Sequence, residues 1–116
     1  NEMACRVHNS GHWSIEGAVC SQFENHIRAV AGLPLGSTEV IRPTVMINII
    51  GQHPKSEAVL ALNGAHLHLY NKSERTGRKL GHITLMPNNS DELTDLCRQL
   101  AKILPVPLAL TTDMNI

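Results

Sequence analysis

From Thr44 to Ile50 the chain is almost wholly apolar or β-branched, while from Ala65 to Tyr70 apolar and polar residues alternate strictly. The first pattern predicts a mostly buried strand ending at Gly51. The second predicts a strand with Ala65, Leu67 and Leu69 on one face and His66, His68 and Tyr70 on the other. Arg78 to Met86 reads as a further strand, and Asn71 to Gly77 as the polar loop of an antiparallel hairpin joining the two.

Two stretches carry helical spacing instead. Phe23, Ile27 and Val30 share a helix face behind a Ser21-x-x-Glu24 capping box, with Glu24 and Arg28 as an i,i+4 pair. Gly32 and Pro34 end that helix. Leu93, Leu96, Cys97, Leu100, Ile103 and Leu104 form a second stripe, started by Asn89 with Glu92 and stopped by Pro105. Short alternation from Asn1 to Val7 predicts a strand or its end, and Asn9 to His12 a turn. Leu35 to Pro43 reads as a connector, and Gln52 to Ser56 as a polar loop. Glu57 to Leu62 fits either helix or strand, and Val106 to Ile116 carries little signal. The fold class expected is α+β. A strand and helix over residues 1–40 precede a small antiparallel β-rich domain with a closing helix over 41–116.

Composition narrows the class. Ten basic and ten acidic residues cancel, so bulk attraction to nucleic acid or an anionic membrane is not expected. Any bound phosphate must be held by a local cluster. Three scattered cysteines without a C-x-x-C pair argue against a disulfide framework or structural zinc and suit a reducing cytosol. No apolar run approaches the ~20 residues that span a bilayer. The motif-dense start at Asn1 suggests a fragment of something longer.

Three constellations can carry chemistry. If Glu2 to His8 is extended, Glu2, Ala4, Arg6 and His8 project together. A carboxylate can hold magnesium, a guanidinium can grip a small planar oxyanion, and an imidazole can donate or move a proton. The same residues also read as a plain surface ion pair. Lys72, Arg75, Arg78 and Lys79 crowd around Gly77 in a loop able to meet a phosphate, or to be a solvated turn. His66, His68 and His82 can share a metal in principle, but no further ligand at confirming spacing accompanies them, and polar packing is the reading preferred.

The run from Asn1-Glu2-Met3-Ala4-Cys5-Arg6-Val7-His8 to Asn9-Ser10-Gly11-His12-Trp13 resembles a signature of the 5-(carboxyamino)imidazole ribonucleotide synthases, which are ATP-grasp ligases. The resemblance continues through Ser21-Gln22-Phe23-Glu24, Gly32-Leu33-Pro34, Val45 to Gly51, His66 to Tyr70 with Lys72, and Gly77 to Ile83, and fades after Met86. It implies a cytosolic, usually dimeric enzyme of purine biosynthesis. ATP activates bicarbonate as carboxyphosphate, and the amino group of aminoimidazole ribonucleotide captures the carboxyl. By this likeness Asn1 and Glu2 lie at the ATP end, Glu2 ligates magnesium, and Arg6 and His8 hold bicarbonate or carboxyphosphate. Lys72, Arg78 and Lys79 then hold the ribonucleotide 5′-phosphate. Cys5 stands where the family usually has proline. The resemblance also implies that the ATP-phosphate lysines and a first magnesium glutamate lie upstream of Asn1, so the chain alone is expected to be inactive.

Two other readings compete. Formate-dependent glycinamide ribonucleotide transformylases share the Asn-Glu…Arg-x-His start but typically continue Asp-Thr-Gly where this chain has Asn9-Ser10-Gly11-His12-Trp13. A non-catalytic sugar-phosphate-binding or purely structural domain is the alternative from another class.

Overall fold

The computed structural model describes residues 3–105 and 113–115. Backbone proximity divides the chain into two compact units, Asn1–Pro43 and Thr44–Ile116.

The first unit is short on regular structure. A single 3₁₀ turn at Asn9–Gly11 leads into helix α1 (Ser14–Gly17) and then helix α2 (Gln22–Val30). The expected strand over Asn1–Val7 is not found among the described residues: the chain bends at Cys5 and Arg6, and residues 3–8 pair with no strand. Without a hydrogen-bonded neighbour, short alternation is not enough to make a strand.

Helix α2 starts and stops as its sequence dictates. Ser21 Oγ accepts the Glu24 N–H at 3.1 Å, and Glu24 pairs with Arg28 one turn on. At the other end Gly32 takes φ +70°, its N–H donates to Ala29 O, and the Leu33 N–H reaches back to Arg28 O. That is a Schellman ending, which a glycine adopts without Cβ strain. The helix's apolar stripe is present, yet Ile27 and Val30 on it are exposed.

The rest of this unit is held by side-chain amides. Gln22 Oε1 accepts the His8 N–H at 3.0 Å while its Nε2 donates to His8 O at 2.7 Å. Asn25 does the same for Gly36, accepting its N–H at 2.8 Å and donating to its carbonyl at 3.2 Å. Buried Ser14 donates to Gly11 O and accepts the Gln22 N–H, tying the 3₁₀ turn to the start of α2. Residues 37–41 run antiparallel to 17–20, with Val19 donating to Glu39, Cys20 to Ser37 and Ile41 to Gly17.

The second unit is built on strand β1 (Thr44–Ile50), followed by helix α3 (Ser56–Leu60), strands β2 (Ala65–Leu69) and β3 (Lys79–Leu85), helix α4 (Ser90–Ile103) and strand β4 (Asp113–Asn115). The described strands form one antiparallel sheet in the order β2-β3-β1-β4. The expected β2–β3 hairpin is there, with His68 opposite His82 and Leu67 opposite Ile83. The undecided Glu57–Leu62 stretch is mostly helical, because Val59 and Leu62 turn together into the core while Leu60 stays exposed.

Val45, Ile47 and Ile49 of β1, Ile83 and Leu85 of β3, Val59 and Leu62, and Leu96 and Leu100 of α4 make one apolar core. The opposite face of β1 and β3 is also buried, at Thr44, Met46, His82 and Thr84. Burial on both faces explains why β1 reads as a continuous apolar run rather than an alternation. Asn89 caps α4 by accepting the Glu92 N–H at 2.8 Å, and Glu92 accepts the Asn88 N–H in return at 2.7 Å.

Candidate functional site

Each unit carries one of the constellations the sequence singles out. In the first, Asn1 and Glu2 lie outside the described residues, so the proposed ATP and magnesium contacts lie there too. Arg6 is exposed, and its guanidinium donates to Val7 O at 3.2 Å. The expectation that residues 2, 4, 6 and 8 share one strand face is not met among the described residues, because the bend at Cys5 and Arg6 breaks the two-residue period.

His8 is nonetheless held firmly. Its backbone is extended (φ −120°, ψ 144°) and clamped on both sides by Gln22. Its Nδ1 accepts the Ser10 N–H at 3.2 Å and stands 2.8 Å from Ser10 Oγ. With Nδ1 accepting a backbone proton, a neutral ring carries its own proton on Nε2, which makes that nitrogen a donor. Gln22 Nε2 also stands 2.7 Å from His12 Nδ1, and His12 packs against the Phe23 ring at 5.0 Å between centroids. Gly11 leaves room for this amide, since a Cβ there would lie 2.5 Å from Gln22 Oε1. Gln22 belongs to one of the resembling runs, but its clamping role has no sequence signal; only the fold brings it to His8.

In the second unit the loop after β2 gathers Lys72, Arg75, Arg78 and Lys79 in eight positions. Asn71 (φ +58°) turns the chain as it leaves β2, and Gly77 (φ +77°) turns it back towards β3. Arg78 is half-buried and braces the loop, its Nη1 donating to Ser73 O at 3.2 Å and Ser73 Oγ at 3.1 Å. Glu74 Oε1 accepts the His53 N–H at 3.3 Å and lies 3.4 Å from His53 Nδ1, tying the cationic loop to the segment after β1. Lys72 and Lys79 are exposed, Lys79 opening β3 opposite Ile50. The loop thus presents exposed ammonium groups on a braced backbone, an arrangement able to hold an oxyanion.

Behind the loop lies a feature the sequence only hinted at. Tyr70 Oη is 2.6 Å from Nδ1 of buried His82, and the His82 ring stacks on His68 with centroids 4.4 Å apart and planes 17° from parallel. Lys72 Nζ rests 5.8 Å from the Tyr70 ring centroid. Burial pushes the Tyr70 phenol above its ordinary pKa, so it stays neutral at physiological pH. His66 is exposed, and no group of three or more metal-binding side chains occurs among the described residues. No helix among them is long and apolar enough to cross a membrane.

Comparison with known proteins shows what the two segments resemble. Residues 1–23 match the family model "ATP-grasp domain", and residues 44–96 match "Phosphoribosylaminoimidazole carboxylase C-terminal domain". The class is therefore that of ATP-grasp proteins carrying this carboxylase C-terminal domain. N5-carboxyaminoimidazole ribonucleotide synthase of Vibrio cholerae is 56% identical over 104 residues, 90% of this chain and 28% of that protein. The crystal structure of N5-carboxyaminoimidazole ribonucleotide synthetase from Thermus thermophilus superposes with a TM-score of 0.85 at 54% identity, covering 91% of this chain and 29% of that one. The Aspergillus clavatus N5-carboxyaminoimidazole synthase, solved with ADP and aminoimidazole ribonucleotide, gives a TM-score of 0.74 at 39% identity over 84% of this chain and 28% of that one. The chain has the sequence and the fold of the C-terminal portion of the N5-carboxyaminoimidazole ribonucleotide synthases, and spans under a third of the length of these relatives.

Proposed function

We propose that this chain is the C-terminal part of an ATP-dependent carboxylase that converts 5-aminoimidazole ribonucleotide and bicarbonate to the N5-carboxy product through carboxyphosphate. The observation that carries the reading is that an ATP-grasp stretch and the carboxylase C-terminal domain follow one another in one chain, each with exposed cations of its own. In this reading Arg6 pairs with bicarbonate and then with carboxyphosphate, where a guanidinium suits a planar oxyanion. His8, its Nδ1 occupied by the Ser10 N–H, donates from Nε2 to the same anion and steadies the charge that builds as the carboxyl is released. Lys72, Arg78 and Lys79 hold the 5′-phosphate of the ribonucleotide.

Magnesium would neutralise ATP phosphate charge in such a reaction. Within this chain Asn1 and Glu2 are the residues assigned to the nucleotide end, with Glu2 as a ligand. A single carboxylate does not make a site for an ion that takes about six oxygens, so no step here runs through the metal. The whole enzyme is taken to be a cytosolic homodimer, and the chain by itself to be inactive.

In the complete enzyme, Arg6→Ala is expected to lower bicarbonate-dependent turnover about 100-fold or more, the scale of losing one charge-stabilising donor. Lys72→Ala is expected chiefly to raise the KM for the ribonucleotide. A wild-type rate for Arg6→Ala would remove Arg6 from the mechanism, and ATP turnover by the purified 116-residue chain would refute its dependence on the rest of the enzyme.

A further inference from the structure

Lys72 sits where it does because of the residues beneath it. The Tyr70 backbone is pinned to β3 through its N–H to Leu80 O at 2.9 Å, and its ring tip is pinned through the 2.6 Å bond to His82. His82 is itself 1% exposed and stacked on His68, its cross-strand partner. Asn71 then takes a left-handed turn that side chains other than glycine seldom adopt, and the chain doubles back so that the Lys72 ammonium lies over the ring. A lysine on an exposed loop ordinarily samples many rotamers and loses that freedom when it grips an anion. Here part of that ordering is done in advance.

We propose that Tyr70 and His82 are positioning residues for Lys72: the hydrogen-bonded phenol is a fixed platform that holds the ammonium ready for a phosphoryl oxygen. The inference rests on the reading of the Lys72–Lys79 loop as a phosphate site. It predicts that the hydroxyl of Tyr70, which would touch no ligand, still affects how tightly the loop binds phosphate.

The test uses the 116-residue chain, with inorganic phosphate and ribose 5-phosphate as probes and NMR as readout. In the parent, the ring should shift the Lys72 ε-methylene resonances upfield without any ligand. Tyr70→Phe keeps the ring but loses the bond to His82. It should diminish that shift and weaken phosphate binding about three- to fivefold, the range expected for a partly exposed cation–π contact and its ordering. Tyr70→Leu should abolish the shift and weaken binding further; if it fails to fold, the phenylalanine variant decides alone. Should Lys72→Ala lose phosphate while Tyr70→Phe keeps both parental affinity and the parental Lys72 shift, the positioning role is overturned and the anion site stands. Should Lys72→Ala bind phosphate as the parent does, the anion site itself falls and the positioning role with it.

Discussion

The side-chain amide of Gln22 makes with His8 the pair of hydrogen bonds that a neighbouring strand would make, accepting its N–H at 3.0 Å and donating to its carbonyl at 2.7 Å. This explains how a segment with no strand partner among the described residues is still held extended at His8. Gln22→Ala removes both bonds. At about 0.5–1.5 kcal/mol per neutral hydrogen bond, it should lower the unfolding free energy by about 1–3 kcal/mol in denaturant titration. Gln22→Glu keeps the acceptor but not the donor and should fall between. Parental stability in the alanine variant would show that the clamp contributes nothing.

Gly81 of β3 pairs with Leu69 of β2, and a Cβ there would sit 2.1 Å from the His68 carbonyl oxygen. The obstacle is backbone, so no rotamer change relieves it, and the hairpin has to shift or part. Gly81→Ala should therefore destabilise the protein by about 3 kcal/mol or more, beyond ordinary core overpacking. Thermal melts of the variant test this, and an unchanged melting temperature would contradict the close approach.

The three thiols should separate kinetically. Cys5 is exposed, Cys97 is half-buried and Cys20 is buried, donating weakly to Asn25 Oδ1. Burial, together with the Glu24 carboxylate, pushes the Cys20 thiol up, and burial does the same for Cys97. Only the thiolate attacks a disulfide reagent. At a pH of about 8, Ellman's reagent should modify Cys5 first, then Cys97, with Cys20 last and limited by local opening. Fast labelling of Cys20 would show that its pocket is open.

Burial raises the Tyr70 phenol above its usual value near 10, so the unfolded chain ionises this group at lower pH than the folded chain does. The stabilisation is complete below the unfolded pKa and is lost as pH climbs through the folded one. Denaturant midpoints should therefore fall more steeply with pH above about 10 in the parent than in Tyr70→Phe, which has no phenol to ionise. Identical slopes would mean that burial leaves the phenol unperturbed.

How much the sequence revealed depended on the range of the interaction. β1 from Thr44 to Ile50, the β2–β3 hairpin and the two capped helices were legible because apolar period, Ser21 with Glu24, and Asn89 with Glu92 are all local signals. The strand or strand end expected over Asn1–Val7 is not found among its described residues, for the opposite reason. Alternation without a partner strand does not decide backbone shape, and the partner His8 has is a glutamine fourteen positions on. The short β4 at Asp113–Asn115 is likewise defined by pairing with β1, which its own composition does not announce. At the candidate sites the cationic cluster was visible as a list of charges. The alternating face of β2 put His68 and Tyr70 on one side, but not that His82 would stack on the first and bond the second. That required the hairpin register, which the long loop between β2 and β3 leaves open.

The pairing of β4 with Thr44, Val45 and Met46 also has a protective side. β1 is flanked by β3 along one border, and the late return of the chain shields the start of the other. A variant ending after Pro105 would keep its packed core yet present that border bare, a run of unsatisfied amides on the most apolar strand of the sheet. Such a border recruits a like border from another molecule. Shortening the chain at this end is therefore a route to self-association rather than to a smaller, well-behaved domain.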